Sequence, residues 1–341
     1  MPFEPTSTTG TLHHIAKSVV AFEPTSILQR SLNIDTLLWV GGLSDTLHSV
    51  NYPYVLAQKL GPKWSLVQVS LSSAGPGWGH GSLGEDVEEL DKCVRYFKER
   101  RPGGRVVIMG SSTGCQDAMH YLVGPGARDR AEIEGAILQA PVSDREALVS
   151  SLSSTEYTYS CHLAQDYVAN GRGEDCLPSK ASNSIFGTTP ISARRWLSLA
   201  SPPPDHAGED DYFSSDFDEA RLKNTFGQLP SRTPLLILYS GSDEYVDSKI
   251  DKSALVGKWT KVAKEMGAQV DEETGGVVPG ATHNLNKDPE EIVDDLCTRV
   301  VPGSFDALKS YKTCASYSME ERARDIASDW ENSQTMRDGE S

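Results

Sequence analysis

What this chain has little of narrows its function first. Basic residues are outnumbered, 32 Lys and Arg against 48 Asp and Glu, which gives a formal charge of −16 with no basic cluster anywhere. A surface that tracks phosphates needs such a cluster, so nucleic acid is not an expected partner. No run of about 18 apolar residues occurs, which argues against a membrane span. The six cysteines, at positions 93, 115, 161, 176, 297 and 314, include no C-x-x-C pair and read as reduced thiols. No His/Cys cluster has metal-ligand spacing, so no metal and no other cofactor is expected. The opening MPFEPTSTTG has neither the basic nor the apolar region of a secretory leader, which sets the expectation of a cytoplasmic protein.

What is present is enough apolar residue, 38% with 29 glycines besides, to fill a substantial core. Strand-length apolar runs alternate with longer amphipathic stretches, the pattern of a mainly parallel sheet covered by helices. Thr36 to Leu43, Trp64 to Leu71, Arg105 to Gly110, Ile133 to Pro141 and Pro234 to Asp243 read as strands, and Gly275 to His283 as a last short one. Tyr52 to Leu60 and Leu83 to Arg100 read as helices, and a third begins near Thr113. Thr9 to Pro24 reads as an antiparallel hairpin at the sheet edge. The alternation stops between Val142 and Pro230. The expected organisation is therefore a core of 1–141 and 231–318, interrupted by a cap over 142–230 and followed by a polar tail over 319–341.

The strongest local signal is Gly110-Ser111-Ser112-Thr113-Gly114, a G-x-S-x-G between an apolar strand and a helix. A nucleophile on such a sharp turn needs small neighbours two residues before and after it, because the backbone is strained and chain passes close by. The turn puts Ser112 at the carboxyl end of the sheet, with the Thr113 amide able to face a developing oxyanion. A serine hydroxyl is a weak nucleophile and requires a base, and in this arrangement the chain order is Ser, acid, His. Of eight histidines only His283 lies after residue 206, just beyond the last apolar run. Asp243, at the end of the penultimate strand, is the expected acid; Glu244 and Asp247 compete with it, or cap the helix that follows. The second oxyanion donor is expected after the first central strand, from the amide of Leu43 or Gly42, and the sequence does not choose between them. The loop Gly75 to Gly81 lacks the Lys of a phosphate loop and is expected to line the entrance, with Trp78 and His80 as candidates for substrate contact. Tyr157, Tyr159, Trp196, Tyr212 and Phe213 are candidates for apolar walls in the cap, although aromatics in an insertion often serve only its own packing.

Several longer strings carry a resemblance. Leu37 to Leu60, Ser82 to Lys98, the elbow MGSSTGCQD and the ending GATHNL, with RRWLSLASP and DDYFSSDF in the insertion, resemble a fungal-centred family of α/β-hydrolases long described as being of unknown function. That family includes esterases acting on fusarinine-type siderophores. The resemblance implies an α/β-hydrolase fold with a cap and a Ser112, His283, Asp243 triad. It also implies hydrolysis of a small-molecule ester, a fusarinine-type ferric siderophore, with release of iron inside the cell. Fold alone does not fix function. Two rivals therefore stand beside this reading: a binding protein or receptor built on the hydrolase fold, and a serine hydrolase for another ester, a thioester or a peptide.

Overall fold

The computed structural model describes residues 7–25 and 34–301; the expected tail and Cys314 lie outside them. In chain order, β1 (Gly10–Ala16) and β2 (Val19–Pro24) lead to β3 (Asp35–Val40), α1 (Tyr52–Lys59), β4 (Trp64–Ser70) and α2 (Leu83–Arg100). Next come β5 (Val106–Ser111), α3 (Gly114–Val123) and β6 (Gly135–Gln139). The insertion carries α4 (Asp144–Ser151), α5 (Ser154–Ala169), α6 (Asn183–Phe186), α7 (Ala193–Ala200) and α8 (Glu219–Lys223). The sheet then resumes with β7 (Leu235–Ser240), α9 (Lys252–Glu265), β8 (Val270–Val278) and α10 (Glu290–Val300).

These eight strands make one sheet in the order β1-β2-β4-β3-β5-β6-β7-β8. β1, β2 and β4 pair antiparallel and every later pair is parallel. The mostly parallel sheet with helices, and the edge hairpin, are as the periodicity predicts. β3, β5, β6 and β7 are buried at every position, the unbroken pattern of parallel strands covered on both faces. α2 instead shows a helical stripe: Leu83, Val87, Leu90, Val94 and Phe97 face the core. Its start is fixed by Ser82, whose hydroxyl accepts the Glu85 amide at 3.2 Å. β3 stops at Val40, three residues short of the run read from the sequence. Gly41 to Leu43 thus leave the sheet as a loop at its carboxyl edge.

The inserted segment has two characters. α4 to α7 bury a cluster of their own, including Leu148, Cys161, Ala164, Trp196 and Leu199, and Trp78 joins it from the core side. Tyr212, Phe213, Phe217, Leu222 and Phe226 belong instead to the main core beside the sheet. There Phe226 stacks on Trp259 of α9 with ring centroids 5.2 Å apart, and Phe213 meets the same indole at 5.5 Å. Arg145 stitches the two parts together: its Nε donates to Asp211 at 3.0 Å and its guanidinium also pairs with Asp216.

The second half of the insertion is thus a wall of the core. Trp259 is fully buried at its centre, and Trp259→Ala is expected to destabilise the fold by about 3–5 kcal/mol, read as a lower midpoint in chemical denaturation.

Candidate active site

Ser112 sits on the turn from β5 into α3 with a φ of 55°, a left-handed conformation that a non-glycine residue adopts only when its surroundings over-determine it. Those surroundings are backbone. A Cβ at Gly110 would lie 2.0 Å from the Gly114 carbonyl oxygen, and one at Gly114 would lie 2.3 Å from that of Val40. Glycine is required at both positions by contact. The Ser112 amide donates to the Gln139 carbonyl at 3.0 Å, which ties the turn to β6.

From this turn the Ser112 Oγ lies 2.7 Å from His283 Nε2, and His283 Nδ1 lies 2.8 Å from the Asp243 carboxylate. The three candidate residues therefore meet in one hydrogen-bonded line, drawn from the ends of β5, β7 and β8. Asp243 is buried, and its other oxygen accepts the Tyr245 amide at 3.0 Å. Its competitors are engaged elsewhere. Glu244 accepts the main-chain amide of His283 at 2.9 Å, and Asp247 accepts the Lys249 amide in a local turn. Glu244 thus positions the backbone that carries the imidazole, whereas the carboxylate of Asp243 meets the ring.

A buried polar network lies beneath this line. Gln139 accepts the Ser111 hydroxyl at 2.6 Å and the Tyr52 hydroxyl at 3.1 Å, and Tyr52 in turn accepts the Trp39 indole N–H at 2.8 Å. The Gln139 side-chain amide donates to the His283 carbonyl at 3.1 Å. Gln139 therefore touches Ser111, the residue before Ser112, and the main chain of His283. Sequence reasoning passed over it. The one available signal was an amide side chain at the end of an otherwise apolar strand, because a buried polar group must find partners.

The loop after β3 closes over the nucleophile. A Cβ on Gly42 would lie 2.6 Å from Ser112 Cβ and 2.9 Å from its Oγ. The Gly42 amide donates to the Asp45 carboxylate at 2.8 Å. Among the described residues the amides of Leu43 and Thr113 have no hydrogen-bond partner. Burial of Asp45 is the largest influence on its carboxyl and raises its pKa, against the lowering effect of the Gly42 bond.

The cleft in front of Ser112 has a volume of about 300 Å³ and runs between this loop, α4 and α6. Leu43, Val142, Leu148, Ile185 and Phe186 form its apolar side, and Asp45, Asp144 and Asn284 its polar one. Tyr245 stands at the mouth, half-exposed, its ring edge-on to His283 at 4.7 Å.

None of the aromatic residues singled out in the sequence lines this cleft. Trp78 is buried, with its indole N–H donating to Ser44 Oγ at 2.8 Å. Trp196 is fully buried inside the cap cluster, and the Tyr157 hydroxyl donates to the Ala200 carbonyl at 2.7 Å. Tyr159 is exposed on α5, and Tyr212 and Phe213 pack beside the sheet. His80 is exposed, with Nε2 3.3 Å from Cys176 Sγ. No residue of the glycine-rich loop lines this cleft, and Gly79 packs on the Pro190 carbonyl, which a Cβ there would meet at 2.0 Å. Trp78, Tyr157, Trp196, Tyr212 and Phe213 are consumed by packing, as large apolar surface tends to be, whereas Tyr159 and His80 stand exposed away from the cleft. The residues that do form the wall are mostly small or aliphatic and carry no chemical signal in sequence.

Behind the loop lies a smaller polar cavity of about 40 Å³, lined by Ser73, Asp86, Asp117 and Arg195 among others. Arg195, buried on α7, donates to Asp210 at 2.6 Å and to the Trp78 carbonyl at 3.1 Å. Burial raises the Asp86 pKa to about 7 and that of Asp144, on the cleft side, to about 8; it holds Asp117 far above the carboxylate range. Among the described residues no group of His, Cys, Asp or Glu has metal-holding geometry. Among them also no helix is long and apolar enough to cross a membrane. The five described cysteines are free, and all but Cys176 are buried.

Two outcomes follow from this geometry. Gly42→Ala drives a methyl group into Ser112 and is expected to lower kcat by about 100-fold with an unfolding midpoint close to wild type. For Asp86 the folded pKa of about 7 exceeds the ordinary 3.8, so the unfolded chain releases its proton first. Stability is present at low pH and is lost as pH rises through that window. Asp86→Asn, which has no proton to lose, is expected to match wild type near pH 4 and to unfold several degrees higher at pH 8.

Comparison with known proteins places the chain. The family described as "Protein of unknown function (DUF1749)" matches residues 3–303. The fusarinine C esterase sidJ of Aspergillus fumigatus is 34% identical over 341 residues, covering 88% of this chain and 96% of that protein. Esterase AN6793 of Emericella nidulans is 35% identical, covering 82% and 87%. The solved structure of the siderophore hydrolase EstB from Aspergillus fumigatus superposes with a TM-score of 0.76 at 34% identity, covering 87% of this chain and 97% of that one. The chain belongs to the DUF1749 family and is an esterase of the α/β-hydrolase fold.

Proposed function

We propose that this esterase hydrolyses ester bonds of a fusarinine-type siderophore through an acyl-enzyme formed on Ser112. The observation that carries the mechanism is the continuous line from Asp243 through His283 to Ser112 Oγ, with bonds of 2.8 and 2.7 Å. His283 takes the hydroxyl proton as Ser112 attacks the ester carbonyl, and then gives it to the departing alcohol. Asp243 holds the ring with Nδ1–H toward itself and stabilises the imidazolium. The unpartnered amides of Leu43 and Thr113 receive the oxyanion. Gly42, whose amide is already bonded, takes no part in that hole. Water then attacks the acyl-Ser112, with His283 acting as base again, and the acid is released.

The substrate assignment rests on the relatives. Two of them bear names that specify a siderophore or fusarinine C as substrate, and they match most of this chain. The cleft is compatible with that size class. At about 300 Å³ it stands at the small end of ligand pockets, so a bulky multi-ester substrate presents one ester-bearing arm while the rest stays outside. Iron arrives with such a substrate and is no part of the protein. In this reading 142–230 is the cap, and its α4 and α6 bound the arm that enters.

The test is release of acid from ferric and iron-free fusarinine-type siderophores, with a short-chain aryl ester alongside, by wild type and Ser112→Ala. Loss of siderophore cleavage by on the order of 10⁴-fold or more in Ser112→Ala is expected. Cleavage of the aryl ester alone would leave the nucleophile standing and remove the siderophore. Equal activity of wild type and Ser112→Ala would remove the nucleophile. No cleavage of any ester, without a covalent adduct from a fluorophosphonate, would favour the binding-protein rival.

A further inference from the structure

The loop over Ser112 contains a side chain that neither the mechanism nor the relatives' names account for. Asp45 closes the turn from both ends. Its amide donates to the Gly42 carbonyl at 3.1 Å, and its carboxylate reaches back to accept the Gly42 amide at 2.8 Å. The turn between them is tight: Ser44 has a φ of 67°, and a Cβ on Gly41 would lie 2.7 Å from Asp45 Cβ. The base of the turn is anchored separately, by the Gly75 amide on the Asp45 carbonyl at 3.0 Å and by the Trp78 indole on Ser44.

Two consecutive amides, of Gly42 and Leu43, run past the nucleophile, and a single oxyanion needs only one of them beside Thr113. An amide N–H left in a cleft without a partner is an attractive group for substrate oxygen, and two such groups side by side would offer it two positions. Asp45 removes that ambiguity. With the Gly42 N–H engaged, the unpartnered amides flanking Ser112 are Leu43 and Thr113.

We propose that Asp45 is a positioning residue: its carboxylate fixes the turn from Gly42 to Asp45 and withholds the Gly42 amide, so that the Leu43 amide faces the developing oxyanion. The inference rests on Ser112 being the nucleophile. It assigns Asp45 no contact with the reacting atoms. What it requires of residue 45 is a hydrogen-bond acceptor at one place, and a negative charge is incidental. Burial, which raises the pKa of this carboxyl, is consistent with an acceptor that serves in either protonation state, since a carboxylic acid keeps a carbonyl oxygen.

The acceptor and the charge separate by substitution. Asp45→Asn keeps an oxygen in the same place without the charge, Asp45→Glu keeps the charge but moves the acceptor by one methylene, and Asp45→Ala removes both. Two quantities are read on an aryl acetate: the split between kcat and KM, and inhibition by an aryl trifluoromethyl ketone. The serine oxygen adds to the ketone carbon, its proton passes to the imidazole, and the carbonyl electron pair becomes an oxyanion. The ketone therefore probes the oxyanion site directly.

Asp45→Ala and Asp45→Glu are expected to lose about 10- to 100-fold in kcat, less than the loss of an oxyanion donor outright, with KM within about twofold. Their affinity for the ketone should weaken by a similar factor. Asp45→Asn is expected to stay within about threefold of wild type in both. Should Asp45→Ala not fold, the contrast between Asn and Glu decides alone. The proposal is overturned if Glu matches wild type while Asn falls, which would make the charge the operative feature, or if all the folded variants keep wild-type kcat and ketone affinity. Ser112→Ala in the same assay separates the two readings: if it is inactive while the Asp45 variants are unimpaired, only the role of Asp45 falls, and if it remains active, the nucleophile falls first.

Discussion

The constraint on which the site depends is the meeting of three pieces of backbone around Ser112. The left-handed φ of 55° at Ser112 is unfavourable for a residue with a side chain, and such a conformation persists only where neighbours leave no alternative. Gly110, Gly114 and Gly42 supply that confinement by letting β5, α3 and the loop after β3 approach to distances that a Cβ would forbid. The strain has a chemical return. It lifts Oγ off the sheet edge toward His283 and leaves the Thr113 amide without an intrahelical partner. The placement of Ser112 Oγ against His283 and the unpartnered Thr113 amide are therefore consequences of one packing arrangement.

A second constraint joins the segment between β6 and β7 to this arrangement. Arg195 leaves α7 of the insertion and ends, buried, near Asp86, Asp117, Asp144 and Asp210, which come from α2, α3, α4 and the segment before α8. One guanidinium cannot neutralise four carboxylates in a low-dielectric interior, and a buried ion that is not paired is costly. The raised pKa values of Asp86, Asp117 and Asp144 are how this cluster reduces its charge. Because its cavity shares Gly42, Leu43, Asp45 and Thr113 with the cleft in front of Ser112, the seat of α7 and the loop after β3 are two faces of one thin partition.

How much of this was legible in the chain depended on whether chemistry or packing dictates each residue. The succession of strands and the strand-end placement of Ser112, Asp243 and His283 were legible as apolar runs followed by Gly and polar residues, and these three side chains do meet in one hydrogen-bonded line. The choice among Asp243, Glu244 and Asp247 leaned on strand-end position alone, and the structure adds a task for each competitor: Glu244 has the right charge and lies one residue away, yet it binds the backbone of His283. That the Gly42 amide is bonded and the Leu43 amide is not was not legible, because it turns on a side chain three residues on folding back. Gln139 was missed because its partners lie up to 144 residues away, and no local pattern encodes such contacts.

The aromatic residues fail as pointers to the substrate for a related reason. Trp78, Tyr157 and Trp196 attracted attention through size, but size in a short insertion is what lets it hold together, and each ring is spent on that. The apolar wall of the cleft in front of Ser112 is made by Leu43, Val142, Leu148, Ile185 and Phe186, residues that any core would use. Its polar side is different in kind. Asp45 is turned onto its own loop, and Asp144 accepts the Gln116 side-chain amide at 2.7 Å, so each carboxyl is engaged with the backbone or helix that shapes the site. Neighbouring negative charge would oppose an oxyanion. Burial raises the pKa of Asp144 to about 8, so near neutral pH this carboxyl adds little negative field to the cleft in front of Ser112.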